Sequence, residues 1–176
     1  MEHVYTEEIK IRKASPDDLS GLCSLCAETF YDTYQQENTS ENMQLYINTH
    51  FSPEVIGAEL KTKNITIFIA FKGEKMIGYI KLEVINSTYM AEGSGCEISR
   101  YYVIKEYQQY KVGKKLMNIT ENFALESSCN YLWLGVWQKN EKAIAIYKHL
   151  GFIISGTTTF TLGDDVQDDF IMIKSL

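Results

Sequence analysis

Residues 106–117 read EYQQYKVGKKLM. Two glutamines between tyrosines, a lone glycine and three lysines give way here to apolar residues. The stretch is either an ordinary helix start or a turn shaped to hold a phosphate. The first N–H groups of a helix have no partner within it, and together with the helix dipole they attract anions. A phosphate turn also needs cations and one residue with backbone freedom, which Lys111, Lys114, Lys115 and Gly113 supply. The flanking chain decides between the two.

Upstream, GCEISRYYVI (95–104) is rich in strand-forming residues; downstream, the pattern predicts a helix over 113–127 and a buried strand over 130–137. Strand, helix and strand of these lengths make a βαβ crossover, expected to be right-handed. Working outward, EEIKIRKA (7–14) alternates as a short strand. Ser15, Pro16, Asp17 and Asp18 then open a helix that runs to Tyr34, as N-cap, first-turn proline and first-turn acids. SENMQLYINTHF and SPEVIGAELKTK read as two further helices. ITIFIAF and KMIGYIKLEVI read as strands joined at KGEK. NEKAIAIYKHL is a helix ended by Gly151, and FIISGTTTFTL and DFIMIKS are closing strands. The expected class is α+β: one domain over 1–176, with a mixed, mostly antiparallel sheet of about seven strands flanked by helices.

The 176 residues are 45% hydrophobic and 23% charged with a net charge of −6, so a polyanion such as nucleic acid is not the expected partner and a cationic one is mildly favoured. No run approaches the roughly 18 apolar residues of a membrane span, and MEHVYTEEIK has no apolar signal core. A cytoplasmic protein with neither membrane nor nucleic-acid partner is expected. Cys23 and Cys26 form a CxxC, but spacing three apart on a helix sets them on one face with Leu19, Leu22 and Phe30, which reads as core. Cys96, Cys129 and the scattered His3, His50 and His149 form no ligand pattern, so no metal is predicted.

Three segments in order, EISRYYVIKEYQQYKVGKKLM, YLWLGVWQKN and NEKAIAIYKHLGF, resemble the GCN5-related N-acetyltransferases, which move an acetyl group from acetyl-CoA to an amine. The first resembles that family's strand, pyrophosphate turn and helix. The last matches its N-x-x-A-x-x-x-Y-x-x-x-GF signature through Asn140, Ala143, Tyr147, Gly151 and Phe152. ETFYDTYQQENTSENM and TLGDDVQDDFIMIKSL further resemble bacterial polyamine N-acetyltransferases of the Pai type, implying spermidine, spermine or related amines as acceptors.

The resemblance implies acetyl-CoA as co-substrate and assigns residues to it. The family's turn, Gln/Arg-x-x-Gly-x-Gly/Ala, falls on Gln108, Gln109, Tyr110, Lys111, Val112 and Gly113, with Lys114 beside it; Lys111 replaces the first glycine. Backbone donors there do not depend on the side chain, provided Lys111 stays in the right-handed helical region. Tyr101, Tyr102 and Val103 would pair with the pantetheine arm where the fourth and fifth strands part. Asn140 would bond the pantetheine, or simply cap its helix. Tyr147 matches the general acid that protonates the leaving thiolate; its plainer role is core packing. Glu97 stands where several members carry their base; alternatively it pairs with Arg100 or faces solvent.

Acceptor-side candidates are Glu28, Tyr31, Asp32 and Trp137, with Tyr34, Glu37, Phe160 and the acids Asp164, Asp165, Asp168 and Asp169 in reserve. A protein lysine or N-terminal amine is the alternative acceptor of this small-molecule enzyme, a CoA-binding protein without turnover is the alternative function, and a homodimer is compatible with either.

Overall fold

The computed structural model describes residues 8–85 and 93–176; His3 and Glu7 lie outside them. The chain runs β1 (Ile9–Lys13), α1 (Leu19–Tyr34), α2 (Ser40–His50), α3 (Pro53–Lys61), β2 (Ile65–Lys72), β3 (Lys75–Ile85), β4 (Gly95–Val103), α4 (Val112–Glu126), β5 (Tyr131–Trp137), α5 (Glu141–His149), β6 (Ile153–Leu162) and β7 (Asp165–Ser175). Seven strands form one sheet in the order β1-β2-β3-β4-β5-β7-β6, every described pairing antiparallel except β4 with β5. This is the α+β architecture expected from the sequence, with the βαβ unit β4–α4–β5 at its centre.

Local chemistry sets the helix boundaries. Pro16–Asp18 is a single 3₁₀ turn, and α1 begins after it. Asp18 accepts from the Ser15 N–H at 2.8 Å and takes both arms of Arg12 at 2.7 Å, which holds its carboxyl down at about 2. Thr39 and Ser52 cap α2 and α3 by accepting from the N–H groups of Asn42 and Val55. Gly73, at φ +59°, closes the β2–β3 hairpin.

The sheet divides the interior in two. Ala70, Ile77, Ile80, Leu82, Ile98, Leu132 and Leu134 pack with Leu116 and Met117 of α4 and Ile144 of α5. Ile67, Ile69 and Tyr79 pack on the other face with Leu22, Leu25, Cys26 and Phe30 of α1, Met43 of α2 and Ile56 of α3. Cys26 belongs to that core while Cys23 is only half-buried, and all four cysteines are free.

One buried ionic knot ties α3 to the strands. The Glu59 carboxylate receives Lys81 Nζ at 2.6 Å and both guanidinium arms of Arg100 at 2.7 and 2.9 Å. These side chains are only 10–12% exposed, so each cation depends on the same carboxylate. Glu59→Leu therefore leaves two buried cations without a counter-charge and should cost about 3–5 kcal/mol in denaturant unfolding. A loss below 1 kcal/mol would show that water reaches the pair.

Candidate active site

Strands β4 and β5 pair only at Gly95–Tyr131, Cys96–Leu132 and Glu97–Trp133. Past Glu97 and Trp133 the pairing ends, although β4 continues to Val103 and β5 to Trp137. On the other side of β4, Leu82 pairs with Ile98 and Lys81 with Arg100, so Ser99 is an extra residue that bulges the strand just where its neighbour departs. A cleft of about 1030 Å³ occupies the gap. Ile98 to Val103 line one wall, Gly135 and Val136 the other, and the starts of α4 and α5 close the mouth. The β5-facing side of β4 is a bare strand edge, able to bond an extended chain.

At the mouth, α4 starts in a way the sequence reading did not expect. Lys111 lies at φ +58°, ψ +23°, in the left-handed region and not the right-handed one. The turn needs a reversal between the 3₁₀ segment Lys105–Tyr110 and the helix, and the lysine adopts the conformation a glycine would take without cost. The first bond of α4 runs from the Lys115 N–H to the Lys111 carbonyl, so the N–H groups of residues 112–114 precede the helical ladder. A side chain on Gly113 would begin 2.6 Å from Tyr101 Oη, so any larger residue there requires that ring to shift. Lys111 and Lys114 line the mouth, and so does Lys142, which the sequence reading missed. Lys142 donates to Gln108 Oε1 at 2.9 Å, while Gln108 Nε2 donates to the Val103 carbonyl at 3.2 Å, tying α5 to the turn. The side chains of Gln109, Tyr110 and Val112 are not on the cleft wall: Val112 is buried, and Lys72 Nζ lies 4.9 Å from the Tyr110 ring.

Helix α5 holds Tyr147 from three directions. Asn140 Oδ1 accepts from the Ala143 N–H at 3.1 Å and caps the helix. Gly151, at φ +92°, ends it, and the Phe152 N–H returns to the Tyr147 carbonyl at 3.0 Å. The buried Phe152 ring then meets the Tyr147 ring edge-on at 5.8 Å, and Tyr101 lies 6.2 Å away. Burial, with Tyr101 and Tyr34 nearby, pushes the Tyr147 phenol far above its ordinary value, so it stays protonated at neutral pH.

The other sequence candidates divide. Glu97 sits at the last β4–β5 pair, opposite Glu83, and is not on the cleft wall. Burial and then Glu83 raise its carboxyl pKa. It does not pair with Arg100, which Glu59 holds. From α1 the cleft takes Thr33 and Tyr34, whereas Glu28, Tyr31 and Asp32 are exposed along that helix outside the wall. Trp137 lies 6.5 Å from the Tyr34 ring, and Lys139 Nζ stands 5.6 Å from the Trp137 ring. Asp164 accepts from Asn42 at 2.8 Å and Asp165 from Gln167 at 2.6 Å, so both have intramolecular partners. Among the described residues no group of three or more His, Cys, Asp or Glu gathers as a metal site, and no helix is long and apolar enough to cross a membrane.

The left-handed lysine makes a measurable prediction. A non-glycine residue held there is strained by about 1–2 kcal/mol, so Lys111→Gly should raise stability by about 1 kcal/mol, or Tm by about 2–4 °C. A fall in Tm would mean that the lysine side chain contributes more than its backbone costs.

Comparison with known proteins bears on this geometry. Residues 22–152 match the model of the acetyltransferase (GNAT) family. An uncharacterised N-acetyltransferase of the pepI 3′ region of Lactobacillus delbrueckii is 32% identical, over 96% of this chain and 98% of its own. A spermidine N(1)-acetyltransferase of Thermoplasma acidophilum is 27% identical over 94% of this chain and 96% of its own. The crystal structure of the PaiA N-acetyltransferase of T. acidophilum in complex with coenzyme A superposes with a TM-score of 0.81, at 28% identity, over 96% of this chain and 99% of that one. The chain belongs to the GNAT family and is an acetyl-CoA-dependent N-acetyltransferase.

Proposed function

We propose that residues 1–176 act as one domain that acetylates the primary amine of a polyamine such as spermidine or spermine, by direct attack on the thioester. The observation that carries this reading is a cleft open to both faces of the sheet. Tyr101 and Val103 belong to the core side that holds α4 and α5, and Tyr102 belongs to the side that holds α1. Pyrophosphate and thioester thus have one face, and the acceptor has the other. The spermidine N(1)-acetyltransferase relative supports the choice of acceptor.

The residues present fit acetyl-CoA. The N–H groups at the start of α4, with Lys111, Lys114 and Lys142, suit a pyrophosphate, and the bare edge of Tyr101, Tyr102 and Val103 suits the pantetheine arm. When bound, acetyl-CoA supplies an activated acyl group. Tyr147 holds a proton for the departing sulfur, and its burial keeps that proton in place until the sulfur needs it. Glu97, its basicity raised at the head of the gap, draws a proton from the incoming ammonium through water. Glu28, Asp32 and Tyr31 on the exposed side of α1, with the Trp137 face, attract the remaining charges of the polyamine.

Acetyl-CoA turnover against polyamines, monoamines, amino acids and peptides tests the acceptor, with spermidine or spermine expected to give the highest kcat/KM. A peptide preferred over every polyamine would replace them as the acceptor. Tyr147→Phe should lower kcat by about 10²–10⁴-fold while calorimetry shows acetyl-CoA affinity unchanged. An unaltered kcat under rate-limiting chemistry would assign that proton to water. Neutralising Glu28 and Asp32 together should raise KM for spermidine more than for a monoamine, and more at low salt, because exposed charges are screened within about 10 Å at 0.1 M. Equal effects on both acceptors would remove the polyamine from this reading.

A further inference from the structure

Asp169 of β7 is a carboxylate that the fold leaves without a partner. Its Oδ1 is buried and accepts no hydrogen bond, and no ion pair reaches Asp169 among the described residues. Buried carboxylate oxygens are ordinarily bonded; Asp169 does not itself line the cleft, but it lies directly behind residues that do, so a donor can reach it from there.

Its surroundings indicate the direction of arrival. Asp169 pairs through the backbone with Trp137 of β5 and Thr158 of β6. A side chain on Gly135 would begin 3.5 Å from Asp169 Oδ2; since there is none, the approach from the cleft wall is bare. Tyr34 of α1, which also lines the cleft, interacts electrostatically with Asp169. Two cleft-lining residues therefore flank this carboxylate, on the sheet face away from α4 and α5. Resting on the acetyltransferase reading above, we infer that Asp169 receives the acceptor nitrogen and takes its proton as the new bond forms.

The protons balance as follows. The ammonium loses its first proton to water through Glu97. As the N–C bond forms, the second passes from nitrogen to Asp169. The C–S electron pair leaves on sulfur, which takes the Tyr147 proton, and the proton on Asp169 returns through solvent to the tyrosinate. The net products are acetamide, thiol and one released proton.

The groups facing Asp169 suit that role. Burial, and then Asp168 on its own strand, push it up to about 6. The phenol of Tyr34 faces it from α1, itself raised by burial. Gly135 brings no charge from β5, and Thr158 brings none from β6. Asp169 thus works ionised, and its contribution is lost as pH falls through about 6.

Four variants test the assignment. Asp169→Asn should lower kcat/KM for amines by about 100-fold or more, remove the acidic limb near pH 6, and leave acetyl-CoA affinity and Tm at or above wild type. Asp169→Glu should recover part of the activity and keep an acidic limb. Glu97→Gln should lower kcat but keep the limb near pH 6. Gly135→Leu, which fills the approach to Asp169, should raise the acceptor KM more than it weakens acetyl-CoA binding. Wild-type kcat/KM and an unchanged limb in Asp169→Asn would overturn the inference alone. A wild-type protein that binds CoA yet acetylates no amine would overturn the reading beneath it as well.

Discussion

The site depends on β4 and β5 keeping company for three residues and then parting. Unpaired strand edges are costly inside a protein, so the gap must be held open by something stronger than the ladder it interrupts. Two features do this. The extra residue at Ser99 bends β4 at the point of departure. Immediately beyond it, Arg100 is fixed to Glu59, and Glu59 to Lys81 of the next strand. A bulge alone would let β4 drift back toward β5. The knot holds the strand on the side of α3, and Tyr101 and Tyr102 project to opposite faces from a backbone that cannot slide.

The parting also explains why the family signature has the form it has. Within it, Asn140, Gly151 and Phe152 serve first to place one ring. The asparagine starts α5, the glycine lets the chain reverse, and the phenylalanine returns under Tyr147. A phenol on a short helix would otherwise swing with the helix end. Gly113 follows the same logic at the opposite wall, where a methyl group would press on Tyr101, the ring that lies beside Tyr147.

Most of the fold was legible in the sequence because it is written in local signals. Alternation marked β1, the Ser15–Pro16 start marked the first helix, the KGEK turn joined β2 to β3, and the order of segments implied the central crossover. Where the reading failed, a pairing invisible in one dimension decided the outcome. The left-handed Lys111 follows from the join between a 3₁₀ turn and α4, not from lysine chemistry. Arg100 lay three residues from Glu97 and suggested a pair, but the β3–β4 register and the position of α3 gave it to Glu59. Lys142 carried no signal of its own in the sequence and joins the site because α5 begins beside Gln108. Asp169 was one acid among several in a polar run, and only the β5–β7 register, which brings it beside Trp137 and Gly135, distinguishes it.

Burial then does two opposite tasks with a single physical effect. Withdrawing an acid from water disfavours its charged form, whether that acid is a phenol or a carboxyl. For Tyr147 the rise starts from a high value, so the group is locked as a proton donor throughout the physiological range. For Asp169 the rise starts low and ends near 6, so the carboxyl becomes a stronger base while remaining ionised at neutral pH. Desolvation first, with neighbouring acids second, raises both groups on either side of one gap, which suits Tyr147 to donate to sulfur and Asp169 to accept from nitrogen in the proposed reaction. Tyr147 packs against the core beneath α5, and Asp169 keeps one buried carboxylate oxygen on the face roofed by α1, so the parted strands withdraw both from water to different degrees.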